Sequence, residues 1–153
     1  MRVVLQRVKY SSVKIEGKIV GKTENGLLAL IGMNKGDSKA VFDKMLDKIT
    51  NLRIFEDEKG KMNLSVRDID GGILAVPNFT LYSNCRHGRR PDFAAGSKPE
   101  EAKKSFEEFV SLLKSSFTNT ETGVFGAGMQ IELLNDGPIT IILDSDELMG
   151  GKV

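Results

Sequence analysis

Apolar positions in the first thirty residues recur at the spacing of strands. Val3–Leu5 and Val8 form one apolar run, and Val13 and Ile15 alternate with Lys14 and Glu16 before Gly17 turns the chain into Lys18-Ile19-Val20. Leu27 to Ile31 follow Gly26 without a polar break, as in a strand buried on both faces. The period then lengthens. Asp37-Ser38 can cap a helix with Val41, Met45, Ile49 and Leu52 on one face. Arg53-Ile54-Phe55 reads as a short strand before the charged turn Asp57–Gly60, and Asp70-Gly71-Gly72 turns into the buried strand Ile73–Val76. Pro99 suits the first turn of a second helix, with Glu100 and Glu101 at the positive end of its dipole. Its stripe is Ala102, Phe106, Phe109, Val110, Leu113 and Phe117. Strands are expected near Gly123-Val124-Phe125, over Met129–Leu134 and over Ile139–Leu143.

This order predicts an α+β fold: a largely antiparallel, barrel-like sheet with two main helices packed on one face. The 153 residues fit one domain, with no repeat, low-complexity tract or linker. Lys+Arg is 22 against Asp+Glu 21, so contact with nucleic acid needs a local basic cluster and not a global field. A single cysteine, Cys85, leaves no internal disulfide and suits a reducing compartment. No apolar run approaches the roughly 18 residues of a membrane helix. A cytoplasmic protein without membrane attachment is expected.

Catalytic side chains are few. The one histidine, His87, lies beside Cys85 in the loop Asn84-Cys85-Arg86-His87-Gly88-Arg89-Arg90. Two neighbouring donors with no further Cys or His make a poor metal site, so the loop reads first as solvated and basic, and neither metal nor cofactor is expected. Arg86, Arg89 and Arg90, with Lys98 downstream, outnumber Asp92; phosphate contact and plain solvation stand level on charge alone.

Two segments carry stereochemical interest. In Pro77-Asn78-Phe79-Thr80-Leu81-Tyr82, Pro77 cannot donate to a ladder, so the strand should break or lie at an edge there. The break exposes N–H groups, which stabilise an oxyanion if they face a cleft and otherwise mark a simple strand-to-loop transition. Thr80 has no adjacent base, which assigns it to hydrogen bonding before nucleophilic attack. Asn135-Asp136-Gly137-Pro138-Ile139-Thr140 is turn chemistry, with a plain hairpin as the simplest form. Its Gly-Pro bond is one of the few peptide bonds that adopt cis at small cost.

The chain resembles the D-aminoacyl-tRNA deacylases over nearly its whole length. The resemblance is carried by RVVLQRV (2–8), GLLALIG (26–32), LRIFEDEKGKMNLSV (52–66), FTLY (79–82), GRRPDF (88–93), TGVFGAGM (122–129) and NDGPIT (135–140). It implies a homodimer with active sites at the subunit interface, acting on the 3′ end of aminoacyl-tRNA. It further implies that Gly137-Pro138 is cis and enters the partner's pocket. There its carbonyl oxygens would hold the substrate α-amino group and leave no room for an L side chain; glycine would pass. Asn78, Phe79 and Thr80 become the catalytic segment, acting through backbone groups and hydrogen bonds on a water aided by the ribose 2′-hydroxyl. Pro77, Arg7 and Thr140 become supporting residues, while Phe125 and Met129 line the adenosine region or pack in the core.

One departure stands out: the family's Ser-Gln-Phe-Thr is Pro77-Asn78-Phe79-Thr80 here. A related branch that edits a mischarged L-amino acid also begins this motif with proline but replaces the phenylalanine, which this chain keeps. Hydrolysis of D-aminoacyl-tRNA is therefore the expectation. The alternatives are L-editing and a non-catalytic module that binds the tRNA acceptor end.

Overall fold

The computed structural model describes residues 1–151; the last two residues of the expected 1–153 unit lie outside them. Eight strands and three helices follow in the order β1 (Arg2–Ile15), β2 (Lys18–Thr23), β3 (Gly26–Gly32), α1 (Lys39–Asn51), β4 (Phe55–Glu56), β5 (Met62–Leu64), β6 (Gly72–Pro77), a 3-10 turn (Phe79–Tyr82), α2 (Pro99–Ser116), β7 (Thr120–Thr122), β8 (Gln130–Asp144) and α3 (Ser145–Leu148). Six strands make one sheet in the order β2-β1-β3-β6-β7, with β8 along the other side of β1. β1 pairs antiparallel with β2, β3 and β8, whereas β3–β6 and β6–β7 are parallel, so the sheet is mixed.

The sheet curls until its ends nearly meet. Lys22 N–H on β2 reaches the carboxylate of Glu121 on β7 at 3.2 Å. Gly21 allows the approach, because a Cβ there would stand 2.7 Å from the Thr122 carbonyl oxygen.

Both long helices cover one face, as their apolar stripes require. Phe42, Met45 and Ile49 of α1 and Phe106, Phe109 and Leu113 of α2 join Leu27, Ala29, Ile31, Ile73 and Ala75 in the main core. Each such fully buried Phe, Leu or Ile contributes roughly 1.5–3 kcal/mol. Phe42 meets Phe109 edge-on at 5.6 Å. The opposite face holds a smaller cluster of Val8, Val13, Leu28, Leu74 and Val76, backed by Met129, Ile131 and Leu133 and by no helix residue. That helix-free face leads to the candidate site.

Several expectations shift. Ser38 caps α1 through its side chain, but the buried stripe begins at Phe42 with Val41 only half-buried, and Leu52 is the C-cap. The strand expected at Arg53–Phe55 pairs only from Phe55. The strand expected at Gly123–Phe125 is instead β7 at Thr120–Thr122; Gly123 N–H donates the last bond, to Ala75, and the chain then leaves the sheet. The largest change concerns Met129–Leu134 and Ile139–Leu143, which are one strand, β8, and not the arms of a hairpin.

Candidate active site

The Pro77–Tyr82 segment leaves the sheet where proline ends the ladder. Pro77 is the last residue of β6, opposite Ile31, and Asn78 N–H is caught by the Ile31 carbonyl oxygen at 2.7 Å. The next four residues wind into a single 3-10 turn. Its first internal bond runs from Leu81 N–H to the Asn78 carbonyl oxygen at 3.4 Å, so Phe79 and Thr80 supply the leading N–H groups, which a helical turn cannot satisfy internally. The Thr80 hydroxyl donates to Asn78 Oδ1 at 2.6 Å and stiffens the entry to the turn. It is a positioning contact, with no base attached.

Arg2, to which sequence reasoning gave no role, ties this turn down. Its Nη1 donates to the Leu81 carbonyl oxygen at 2.8 Å, while Nε and Nη2 hold Asp144 at 2.9 and 2.8 Å. The guanidinium also lies 4.9 Å from the centre of the Tyr82 ring. Burial, reinforced by Asp37 and Asp144, pushes the Tyr82 phenol far above its ordinary value, so it stays neutral. For Asp144, burial acts to raise the pKa, but the Arg2 hydrogen bond, the Asp146 N–H and nearby positive charge outweigh it and hold the carboxyl below its usual range. The only available signal was Arg2's place at the head of the first matching block.

Beside the turn opens a cavity of about 320 Å³. Its lining comes from two stretches of chain and Leu30: Val76, Pro77, Asn78 and Phe79 from the first, and Phe125, Gly126, Ala127, Met129 and Ile131 from the second. Five expected site residues thus share one cavity: Pro77, Asn78, Phe79, Phe125 and Met129. Thr80 lies next to it in the turn. Phe79 is 62% exposed at the rim, where Phe93 meets it edge-on, ring centres 5.2 Å apart. From sequence, Leu30, Val76 and Ile131 are expected only as strand residues, and Ala127 only as part of the matching block 122–129.

Gly137 and Pro138 are elsewhere. On β8, Thr140 pairs with Gln6 and Asn135 with Val8, so the four residues between them face Arg7 alone and bulge from the sheet. The Gly137-Pro138 peptide is cis. Gly137 has φ of +131°, a value that side chains resist, and a Cβ there would lie 2.8 Å from Ile139 Cγ1.

This bulge is braced from both sides. Arg7, only 6% exposed, donates to the carbonyl oxygens of Asp136 (3.1 Å) and Ile54 (2.8 Å), and its Nε lies 3.3 Å from the Asp136 carboxylate. Asn135 Nδ2 donates to the carbonyl oxygens of Arg7 at 3.1 Å and Ile139 at 2.9 Å, replacing the lost ladder bonds with a side-chain clamp. Thr140, on the exposed side, accepts from Gln6 at 3.2 Å. Gly137 and Pro138 themselves are exposed and do not line the cavity of their own chain.

The basic loop is exposed and closed at its base. Asn84 and Asp92 exchange backbone hydrogen bonds of 2.7 and 2.9 Å, which presents Arg86, Arg89 and Arg90 together. Cys85 and His87 lie on the same exposed loop, away from the cavity lining.

A nearly closed mixed barrel, with helices on one face and on the other a cavity lined by no ionisable side chain, defines an α+β protein. The chain belongs to the family described as D-Tyr-tRNA(Tyr) deacylase, whose model matches residues 4–144. It is 54% identical to a D-aminoacyl-tRNA deacylase of Thermosipho africanus (strain TCF52B), over 97% of this chain and 99% of the relative. It is 55% identical to a protein of the same name from Clostridium botulinum (strain Alaska E43 / Type E3), over 96% of this chain and 99% of that one. Among solved structures, one titled c-Myc DNA Unwinding Element Binding Protein is similar to it with TM-score 0.89 and 37% identity, covering 94% of this chain and 98% of that chain.

Proposed function

We propose that this protein hydrolyses the ester linking a D-amino acid to the terminal ribose of tRNA, and that it works as a homodimer in the cytoplasm, where charged tRNA is used. In the reaction, a water oxygen attacks the ester carbonyl carbon and the carbonyl π electrons move onto oxygen. Collapse breaks the bond to the ribose oxygen, which takes up a proton. The products are the free amino acid and tRNA with its hydroxyl restored.

The N–H groups of Phe79 and Thr80 face the developing negative charge, a task in which one fixed donor is worth roughly 10²–10³ in rate. Asn78 and Thr80 hold that turn in shape, and Pro77 ends the strand before it. Phe125 and Met129 flank the adenosine, while the substrate's own 2′-hydroxyl orients the water. Such a site needs orientation more than a strong base. Arg86, Arg89 and Arg90 contact tRNA phosphates, which supply affinity without reading sequence.

Chirality is selected by the partner subunit's bulge. Its Gly137 and Pro138 carbonyl oxygens take the substrate α-amino group, so an L side chain meets main chain while a D side chain, or glycine, does not. Arg7, Asn135 and Thr140 hold the bulge in position. The single observation that carries this reading is the separation of the two elements within one chain. The braced bulge does not line the cavity of its own chain, and that cavity's lining carries no charged side chain to pair with an amine. β8 also offers an exposed face for association, with Ile142 66% exposed and its outer edge paired to no strand among the described residues.

The experiment is a deacylation assay on tRNA charged with the D or the L form of one amino acid, with glycyl-tRNA alongside. Turnover of D and glycyl substrates with L spared is expected. Preferential L turnover, or tight tRNA binding with the ester intact, would overturn the proposal in favour of L-editing or of a binding module.

A further inference from the structure

We infer that Phe93 sets the preference for the substrate's amino-acid side chain: with Phe79 it forms an aromatic rim that receives large apolar or aromatic groups. This rests on the reading that the ester carbonyl sits at the N–H groups of Phe79 and Thr80. Phe93 is not a wall of the cavity. It stands outside it, 43% exposed, with its ring at 72° to that of Phe79. Two large apolar rings touching each other at a cavity mouth, both open to water, form a surface that gains free energy when something apolar covers it.

The position of Phe93 is fixed by its backbone. The Asn84–Asp92 bridge closes the loop one residue before it, and Ala94 N–H donates to Asp92 Oδ1 at 2.9 Å one residue after it. A ring presented this way is preorganised and loses little entropy on contact.

The occupant follows from bond lengths. An amino-acid side chain begins one bond from the ester carbonyl carbon, so a carbonyl held by the Phe79 N–H brings that side chain toward the Phe79 ring. The part of the lining formed by Phe125, Met129 and Ile131 comes from a separate stretch of the chain and is left to the nucleoside. Because Phe93 adds a rim beyond Phe79, its contribution should grow with side-chain length. A methyl group stays inside the mouth; a tyrosyl or phenylalanyl ring extends over the rim and meets Phe93 as an aromatic pair.

The test compares wild type with Phe93→Ala, Phe93→Leu and Phe93→Tyr on D-tyrosyl-, D-phenylalanyl- and D-alanyl-tRNA, with thermal melting to establish that each variant is folded. For Phe93→Ala, kcat/KM on the two aromatic substrates should fall roughly 3- to 10-fold, the size of one aromatic contact, and D-alanyl-tRNA should change less than about twofold. Phe93→Tyr should restore the aromatic preference and Phe93→Leu should restore part of it. An equal loss on all three substrates would make Phe93 a structural support for Phe79 and overturn the inference, as would no loss at all. If wild type itself hydrolyses none of the D substrates, the underlying deacylase reading fails instead.

Discussion

The two segments that carry the proposed chemistry are built in opposite ways. The Phe79–Tyr82 turn is a single helical turn held at its ends, by Ile31 at the start and Arg2 near the finish, with its main ring out in solvent. The Asp136–Ile139 bulge is clamped by Arg7 and Asn135, whose side chains contribute two carbonyl contacts each. A receiving site has to admit different side chains and release product, so it tolerates exposure. An element proposed to tell mirror images apart by exclusion has to keep its position, since sites of this kind need their groups held to within about 0.5 Å.

The clamp is therefore where damage should be greatest. Arg7→Ala leaves the carbonyl oxygens of Ile54 and Asp136 without their donor in a largely buried setting; a loss of about 2–4 kcal/mol in unfolding free energy, by denaturant titration, is expected together with near-complete loss of deacylation. Gly137→Ala should cost less stability, about 1–3 kcal/mol, from the φ of +131° and the crowding by Ile139, yet should strongly impair D-aminoacyl-tRNA turnover. A variant that melts lower but keeps its activity would break the proposed link between bulge and selection.

The receiving turn should be more forgiving. Thr80→Val removes the hydroxyl bond to Asn78, and a fall in kcat of about tenfold or less is expected, since a positioning contact is worth about 1 kcal/mol. A fall of a thousandfold or more, rescued by serine, would instead make Thr80 a nucleophile.

Acid probes the same turn through Asp144. Its carboxyl titrates below the ordinary 3.8, so its ionised form stabilises the fold above that value, and this contribution is lost as pH falls through the lowered folded value. Melting curves of wild type and Asp144→Asn should converge in that acid window and separate above it, by about 1 kcal/mol. The smallest effect on the fold is expected from replacing Arg86, Arg89 and Arg90 with alanine. No shift in melting is anticipated, but the salt dependence of tRNA binding should lose roughly one unit of slope for each phosphate contact removed.

What could be read from sequence depended on whether local pattern or distant partners decide the structure. α2 was legible because its stripe from Ala102 to Phe117 repeats at helical spacing behind a proline start, and all six stripe residues are buried, Phe117 as the C-cap just past the last turn. α1 was legible in place and in phase: Met45 and Ile49 are buried as expected and Val41 and Leu52 pack half-buried against the same core, while Phe42, beside Val41 in the first turn, takes the core position that the pattern did not single out. The Asn135–Thr140 stretch has every local mark of a hairpin. It remains a strand because Asn135 and Arg7, far apart in sequence, supply the bonds that let β8 resume its pairing with β1.

In the site, Phe79, Phe125 and Met129 were accessible through the family resemblance, and they share one cavity. Arg2 and Phe93 were not assigned, because the role of each arises only from contacts across the fold: Arg2 with Leu81 and Asp144, Phe93 with Phe79.

The proposal that one subunit's bulge completes the other's cavity can be tested most directly with a mixed dimer. One subunit carries Gly137→Ala, which spoils the bulge; the other carries Ala127→Trp, which fills the cavity. Each variant alone should be inactive. The purified heterodimer should regain about half of wild-type D-aminoacyl-tRNA hydrolysis, because one intact bulge then faces one intact cavity. A heterodimer as inactive as both parents would mean that each subunit uses its own bulge or none, and would contradict the cross-subunit site.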